Sequence, residues 1–445
     1  MMGVIFVKYF KKIFLITILL LISLQAFSAY IEKYKRYDEY NDILTDSLKK
    51  NNYEENKKEV EKKLEDFDNN LKVINNDDII IDEILLNKLK NFEGFSSLEI
   101  RNMDNDIIFG YNNYKYFIPA SLTKLFTSYV TLEKHSKDFY FKTFLYSDYN
   151  ISSNFTGNLY IKGMGDPVLK LEDVENMIKS IKSAGIKKIY GDFIIDFSLF
   201  NDEGFGRGWM WDDPQPQIAS FNIHLSSHEV FKYKTNMEIK DYILFVISNL
   251  FDKYDIKFYG EFKFENFDKK NLNILYENNS DNLLNIIKEM LEKSDNQIAE
   301  MLFRYNGINN GISNIESSIK NNSKILSKVI DDDFIIYDGC GLSMYNLVTP
   351  NMVNEINVLL HKNFKDDYLK ILASPYENST IENRFNYSIW AKTGTLYSDS
   401  GISGIIKTKK NNYFYFTMIE NNYVFDKYEV KKFENDILNY IYNNY

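Results

Sequence analysis

Ile118-Pro119-Ala120-Ser121-Leu122-Thr123-Lys124-Leu125-Phe126 decides how this chain is read. It sets a serine and a lysine three positions apart where a helix begins. Three positions is close to one helical turn, so both side chains share a face and can meet. A serine hydroxyl attacks only when a base takes its proton, and a lysine is that base only with its pKa pushed down. Pro119 ends the extended stretch before the pair. Leu122, Leu125, Phe126, Tyr129 and Val130 give the following helix, expected to run to about His135, one apolar side. A serine at the start of a buried helix also gains from the helix dipole, which favours an oxyanion nearby. The pattern alone carries little, because Ser47 with Lys50 and Ser317 with Lys320 match it and read as surface helix residues.

Two further pieces lie downstream. Ser294-Asp295-Asn296 precedes Ile298, Ala299 and Leu302, an apolar helical face. A second serine hydroxyl can relay a proton, and an amide side chain can hold both a substrate amide and a lysine. The same tripeptide stands at Ser280-Asp281-Asn282. Along one continuous helix the two copies would be about 21 Å apart, so only one can face Ser121. Ser280 or Asp281 reads as the N-cap of a helix expected over 283–303, and Ser294 is favoured for the site. The other piece is Lys392-Thr393-Gly394-Thr395, after the strand-like Ser388-Ile389-Trp390-Ala391. Its lysine and threonine offer a cation and a hydroxyl to a carboxylate, and Gly394 would let a substrate backbone come close. The amides of Thr395 and Ser121 could make the two halves of an oxyanion hole. A second cation near Lys124 would help keep Lys124 neutral.

The chain around these pieces has 445 residues, 44% hydrophobic and 26% charged, which allows two or three domains with substantial cores. A net charge of −10 argues against an electrostatic nucleic-acid binder. Cys340 is the single cysteine, so an internal disulfide is excluded, and no histidine stands near it to make a thiol nucleophile. His224 and His228 are four apart but lack the glutamate of a zinc-protease helix, and surface or core roles are expected for all four histidines. Neither a metal nor a cofactor is expected.

At the N-terminus Lys8, Lys11 and Lys12 precede an apolar run over 13–24, and Ala26-Phe27-Ser28 supplies a small-residue cleavage pattern. Residues 1–28 therefore read as a secretory signal peptide, the alternative being an uncleaved membrane anchor. Residues 29–85 read as a charged helical extension, with Val60, Leu64, Phe67, Leu71 and Ile74 as one apolar stripe. Alternation at Leu98 and Ile100, a turn at Asp104-Asn105, and alternation at Ile107 and Phe109 predict a hairpin. Short β-like runs and turn signals over 141–270 predict an inserted β-rich domain, with a helix over 241–250. It separates a first part of the main domain, 86–140, from a second, 271–445. In the second part Asp338-Gly339-Cys340-Gly341 reads as a tight turn, Pro350 as a helix start, 402–408 and 413–419 as a hairpin, and 425–442 as a closing helix. Together these predict an α+β fold with an antiparallel sheet flanked by helices.

The three motifs, in this order, resemble those of the serine D-alanyl-D-alanine carboxypeptidases of the penicillin-binding protein 4 type, low-molecular-mass class C. The resemblance covers about residues 90 to 440. It extends to Gly157-Asn158-Leu159, Gly165-Asp166-Pro167, Gly191-Asp192 and Trp209-Met210-Trp211-Asp212-Asp213 in the insertion, to Asp338-Gly339-Cys340-Gly341-Leu342-Ser343 with Asn346, and to Thr380 and Arg384. It implies a β-lactamase/transpeptidase-like fold and an extracytoplasmic enzyme acting on peptidoglycan stem peptides, with β-lactams as covalent inhibitors. By the same resemblance Ser121 is the nucleophile, Lys124 its base and Ser294 the proton relay. Asn296, Lys392, Thr393 and Gly394 bind substrate, and the amides of Ser121 and Thr395 hold the oxyanion. The chain departs from the family in a shortened insertion, in Cys340 for the usual serine, in Met344 for the usual arginine and in Ser379 for the usual glycine. Endopeptidases that cut D-alanyl cross-links share these residues. A β-lactamase is disfavoured because no Glu-x-x-Leu-Asn segment is present, and a non-enzymatic wall-binding protein because all three motifs are intact.

Overall fold

A computed structural model describes residues 82–200, 206–213, 215–224 and 238–445. The signal-like segment and the apolar stripe from Val60 to Ile74 lie outside the described residues. The fold begins at α1 (Glu83–Lys90), N-capped by Asp82, whose carboxylate accepts from the Leu85 amide at 2.9 Å. Leu85 and Leu89 are buried in one apolar cluster with Ile437, Leu438 and Ile441 near the other end of the chain. The boundary drawn at 85 therefore cuts a helix of the main domain. Strands β1 (Phe95–Arg101) and β2 (Ile107–Tyr111) make the expected hairpin, with Asn105 at φ 77° in its turn. A 3₁₀ turn (Ala120–Leu122) leads directly into α2 (Thr123–Lys134).

The insertion runs through β3 (Lys142–Ser147), β4 (Asn154–Phe155), β5 (Leu159–Gly163), α3 (Leu171–Ser183), β6 (Lys188–Ile189), β7 (Phe193–Asp196), α4 (Ile239–Lys253), β8 (Lys257–Phe258), β9 (Phe262–Phe264) and β10 (Asn273–Asn279). It is layered, with helices as well as strands. Helix α3, absent from the sequence reading, buries Val174, Met177, Ile178 and Ile181 against Ile243 and Ile247 of α4 and Ile161 and Phe193 of the sheet. Helices return the chain between strands, so β5, β7 and β9 pair in parallel. β10 pairs antiparallel with β3, which carries this sheet past the boundary expected at 270.

The chain then returns to the main domain through α5 (Leu283–Lys293), α6 (Asn296–Asn306), α7 (Ile315–Leu326), α8 (Pro350–Phe364), α9 (Asp366–Ile371), β11 (Ile389–Thr395), β12 (Asp399–Lys407), β13 (Tyr413–Asn421) and α10 (Lys427–Asn444). Its sheet is antiparallel throughout, in the order β11-β12-β13-β1-β2. Alternation divides β12 and β13 between two cores. Ile405, Tyr415 and Ile419 face a helical core with Leu125, Met290, Ile298 and Ile356. Ile402, Ile406, Phe416 and Met418 face α1 and α10. This arrangement leaves β11 at the sheet edge, beside the start of α2.

The sequence reading places one helix over 283–303, and the structure has two. Ser294 breaks them with a left-handed backbone, φ 57° and ψ 39°, as the C-cap of α5. Nor is Ser280 or Asp281 the N-cap of α5. That cap is Asn282, which directly precedes the helix in an extended conformation and accepts from the Asn285 amide at 3.0 Å. Ser280 instead closes the sheet, its hydroxyl accepting from the Phe141 amide at 2.8 Å.

Candidate active site

The 3₁₀ turn before α2 places Ser121 next to a strained residue. Ala120 has φ 48°, a region that costs a non-glycine residue of order 1–3 kcal/mol. Thr123 Oγ1 donates to the Ala120 carbonyl at 2.8 Å, and the Leu122 amide to that of Pro119 at 3.1 Å. The turn at 338–341 presses on the same carbonyl, since a Cβ on Gly341 would lie 1.9 Å from Ala120 O. Gly341 also has φ 86°, so it satisfies a close approach and a left-handed turn together. Gly394 plays a related part. A side chain there would meet Ser121 N at 3.0 Å and Pro119 O at 2.9 Å. It makes room for the backbone of Pro119 and Ser121.

Lys124 is fully buried. Its Nζ lies 2.6 Å from the Cys340 carbonyl, 2.7 Å from Asn296 Oδ1 and 2.9 Å from Ser121 Oγ. A neutral amine has two N–H groups and one lone pair. The carbonyl and the amide oxygen use the two donors, which leaves the lone pair for the Ser121 hydroxyl proton. Burial lowers the Lys124 pKa from its ordinary value, while Asp338, Asp295 and Glu300 act the other way. Burial is thus the largest influence favouring the free base, and Lys124 and Lys392 also repel one another when both are charged.

Lys392 is equally buried, donating to Ser294 Oγ at 2.8 Å and to the Thr393 carbonyl at 2.6 Å. Burial pushes its pKa well down, with Lys124 and Lys431 adding to the effect. An arriving carboxylate would supply the opposite charge that restores its proton.

Ser294-Asp295-Asn296 forms the corner between α5 and α6 and touches both lysines, Ser294 on Lys392 and Asn296 on Lys124. Asp295 caps α6 through the Ile298 amide at 2.8 Å. Its other oxygen meets His224 Nε2 at 3.1 Å. Hydrogen bonds join Ser121, Lys124 and Asn296 in one group and Ser294 and Lys392 in another, and the Ser294-Asp295-Asn296 backbone links the two. Thr393 is nearly buried beside them, and Thr395 ends β11 with its hydroxyl donating to the Gly394 carbonyl at 2.7 Å. Ser280 is not in this network.

Sequence reasoning sets His224 aside as a zinc ligand and expects a surface or core role for it, so its contact with the site goes unseen. Its partner lies 71 positions away in sequence, and a lone histidine gives no sign of such a contact. The insertion reaches the site a second time through Trp209, whose Nε1 donates to Asp338 Oδ2 at 2.8 Å. Cys340 presents its carbonyl to the site. Its thiol is buried against Asp338 with its pKa raised by burial. Glu300, Asp338 and Cys340 are the one group among the described residues close enough together to hold a metal. Their oxygens are already taken, Glu300 by Arg304 and the Gly339 amide, and Asp338 by Trp209, Asn346 and the Gly341 and Ser343 amides.

Residues 81–224 and 227–443 match the profile of the D-Ala-D-Ala carboxypeptidase 3 (S13) family. The chain is 26% identical over 427 residues to the D-alanyl-D-alanine carboxypeptidase DacB of Haemophilus influenzae, covering 76% of this chain and 89% of that one. It is similar to the crystal structure of penicillin binding protein 4 (dacB) from the same organism, with a TM-score of 0.71 and 24% identity over 82% of this chain and 100% of that one. The complex of that protein with a β-lactam gives 0.66 and 23% over 81% and 99%. A predatory peptidoglycan endopeptidase from Bdellovibrio bacteriovorus shares the fold at a TM-score of 0.53 and 18% identity, over 77% and 92% of the two chains.

Proposed function

The chain belongs to the D-Ala-D-Ala carboxypeptidase 3 (S13) family and is a serine-type, penicillin-binding carboxypeptidase, and we propose that Ser121 is the residue it acylates. The substrate is the D-alanyl-D-alanine end of a peptidoglycan stem peptide. Lys124 as free amine takes the Ser121 proton, and Ser121 Oγ attacks the carbonyl of the penultimate D-alanine. The oxyanion is held by the amides of Ser121 and Thr395. Ser294 passes a proton to the leaving amine, so the terminal D-alanine departs as the ester on Ser121 forms. Asn296 holds the peptide, and Lys392 and Thr393 hold the terminal carboxylate. Water then hydrolyses the ester. The observation that carries this reading is the environment of Lys124, whose two N–H groups are engaged elsewhere and whose third partner is Ser121.

Penicillin would acylate the same serine. Ser121→Ala is expected to abolish labelling by a fluorescent penicillin, and Ser280→Ala to leave it intact. Labelling that persists in the Ser121 variant would overturn the assignment. A D-alanyl endopeptidase is the second reading, favoured by the fold shared with the Bdellovibrio enzyme. Products from cross-linked and uncross-linked muropeptides separate the two, because a carboxypeptidase releases free D-alanine and an endopeptidase converts dimers to monomers. A peptidoglycan substrate places the enzyme beyond the cytoplasmic membrane, and residues 1–28 would supply the export signal or an anchor.

A further inference from the structure

Lys431, on the first turns of α10, lies behind the Lys392-Thr393-Gly394-Thr395 strand. Its Nζ donates to Ser400 Oγ at 2.8 Å, to Glu434 Oε1 at 3.1 Å and to the Gly394 carbonyl at 3.3 Å. That carbonyl belongs to the same peptide unit as the Thr395 amide. The peptide is trans, as is every peptide bond described, so its C=O and N–H point in opposite directions. The Leu396 amide donates to Asp399 O at 2.8 Å, toward β12. Successive amides of a strand alternate, so the Thr395 N–H faces away from β12, toward the open edge of the sheet. Ser121 N lies over that edge strand, 3.0 Å from where a Cβ on Gly394 would be. The ammonium is itself held, since Glu434 is fully buried and also bonded to Arg384 Nη2 at 2.8 Å and to Ser400.

We propose that Lys431 is a positioning residue of the oxyanion hole, acting through the Gly394–Thr395 peptide. A cation on the carbonyl side draws electron density from the amide nitrogen, which makes the Thr395 N–H a stronger donor. It also fixes the peptide plane, so the N–H stays aimed at the edge where the oxyanion forms. The inference rests on the reading of Thr395 as an oxyanion donor. A lysine serving only to pair with Glu434 would leave the donor strength of that amide unchanged.

The test is infrared difference spectroscopy of the acyl-enzyme formed by the full chain with a penicillin carrying ¹³C in its β-lactam carbonyl, beside stopped-flow acylation. In Lys431→Met the ester carbonyl band is expected at higher wavenumber than in the wild type. The acylation rate constant should fall by about tenfold, a fraction of the loss seen when a whole oxyanion donor is removed. Lys431→Arg, which keeps the cation, should recover most of both. Should Lys431→Met fail to fold, Lys431→Gln gives the same comparison. An unmoved carbonyl band in the neutral variant overturns the role of Lys431, even if the variant is slower. A wild type that forms no ester on Ser121 overturns the reading beneath it instead.

Discussion

Lys124 Nζ and the Cys340 carbonyl oxygen are 2.6 Å apart, the shortest of the three hydrogen bonds made by that amine. The amine proposed as the base is thereby held by a backbone turn, and its proton state depends on how deeply that turn buries it.

Acylation should therefore rise with pH. As the proposed base Lys124 works only when unprotonated, and its pKa is lowered from 10.5 chiefly by burial. The second-order constant for acylation by a penicillin is expected to increase with pH and to level off below that ordinary value. Asp295 is one of the carboxylates that favour the charged amine. Asp295→Asn keeps a capping oxygen for α6 and should move the inflection to lower pH. Stopped-flow acylation across the range checks both, and a flat profile would mean that another group takes the Ser121 proton.

Stability and activity should part company at Ser294. Its left-handed backbone suits glycine better than serine. Ser294→Gly is expected to be neutral or to gain up to about 1 kcal/mol against denaturant. Loss of the hydroxyl bonded to Lys392 should nonetheless slow turnover by about 100-fold or more. Urea melts beside D-alanine release measure the two effects, and parallel losses in both would refute the separation.

Gly341→Ala should damage both at once. The new methyl would fall 1.9 Å from Ala120 O, a backbone atom that cannot rotate away, at a φ of 86°. Overpacking and backbone strain together should cost about 3 kcal/mol or more. Relief would come by shifting the Ala120-Ser121 turn, so penicillin labelling should be lost in protein that still folds. Normal labelling would show that the two turns can separate without disturbing Ser121.

The elements of this fold that the sequence announces are those whose cause is local. The three motifs are contiguous strings, and the alternating strands and apolar helical faces that carry them repeat at short range. Choosing Ser294 over Ser280 also had a local basis, in the apolar face of Ile298, Ala299 and Leu302. The break at Ser294 had none, because serine carries no mark of a left-handed residue. Val174, Met177, Ile178 and Ile181 mark helix α3 at helical spacing, but the turn signals and short β-like runs around them point to strands. The contacts of His224 with Asp295 and of Trp209 with Asp338 follow only from how the insertion folds back, and no spacing within either segment encodes them.

The insertion leaves and re-enters the main domain through neighbouring strands, with Lys142 registered opposite Asn279. A segment whose two ends meet in this way is a cassette. Residues can be gained or lost along its interior at the small cost of lengthening a closed loop, without pulling on the frame that holds Ser121. Replacing the whole cassette by a tight turn would spare the register of the catalytic sheet. It would also remove His224 from Asp295 and Trp209 from Asp338, leaving the catalytic groups in the frame without those two braces.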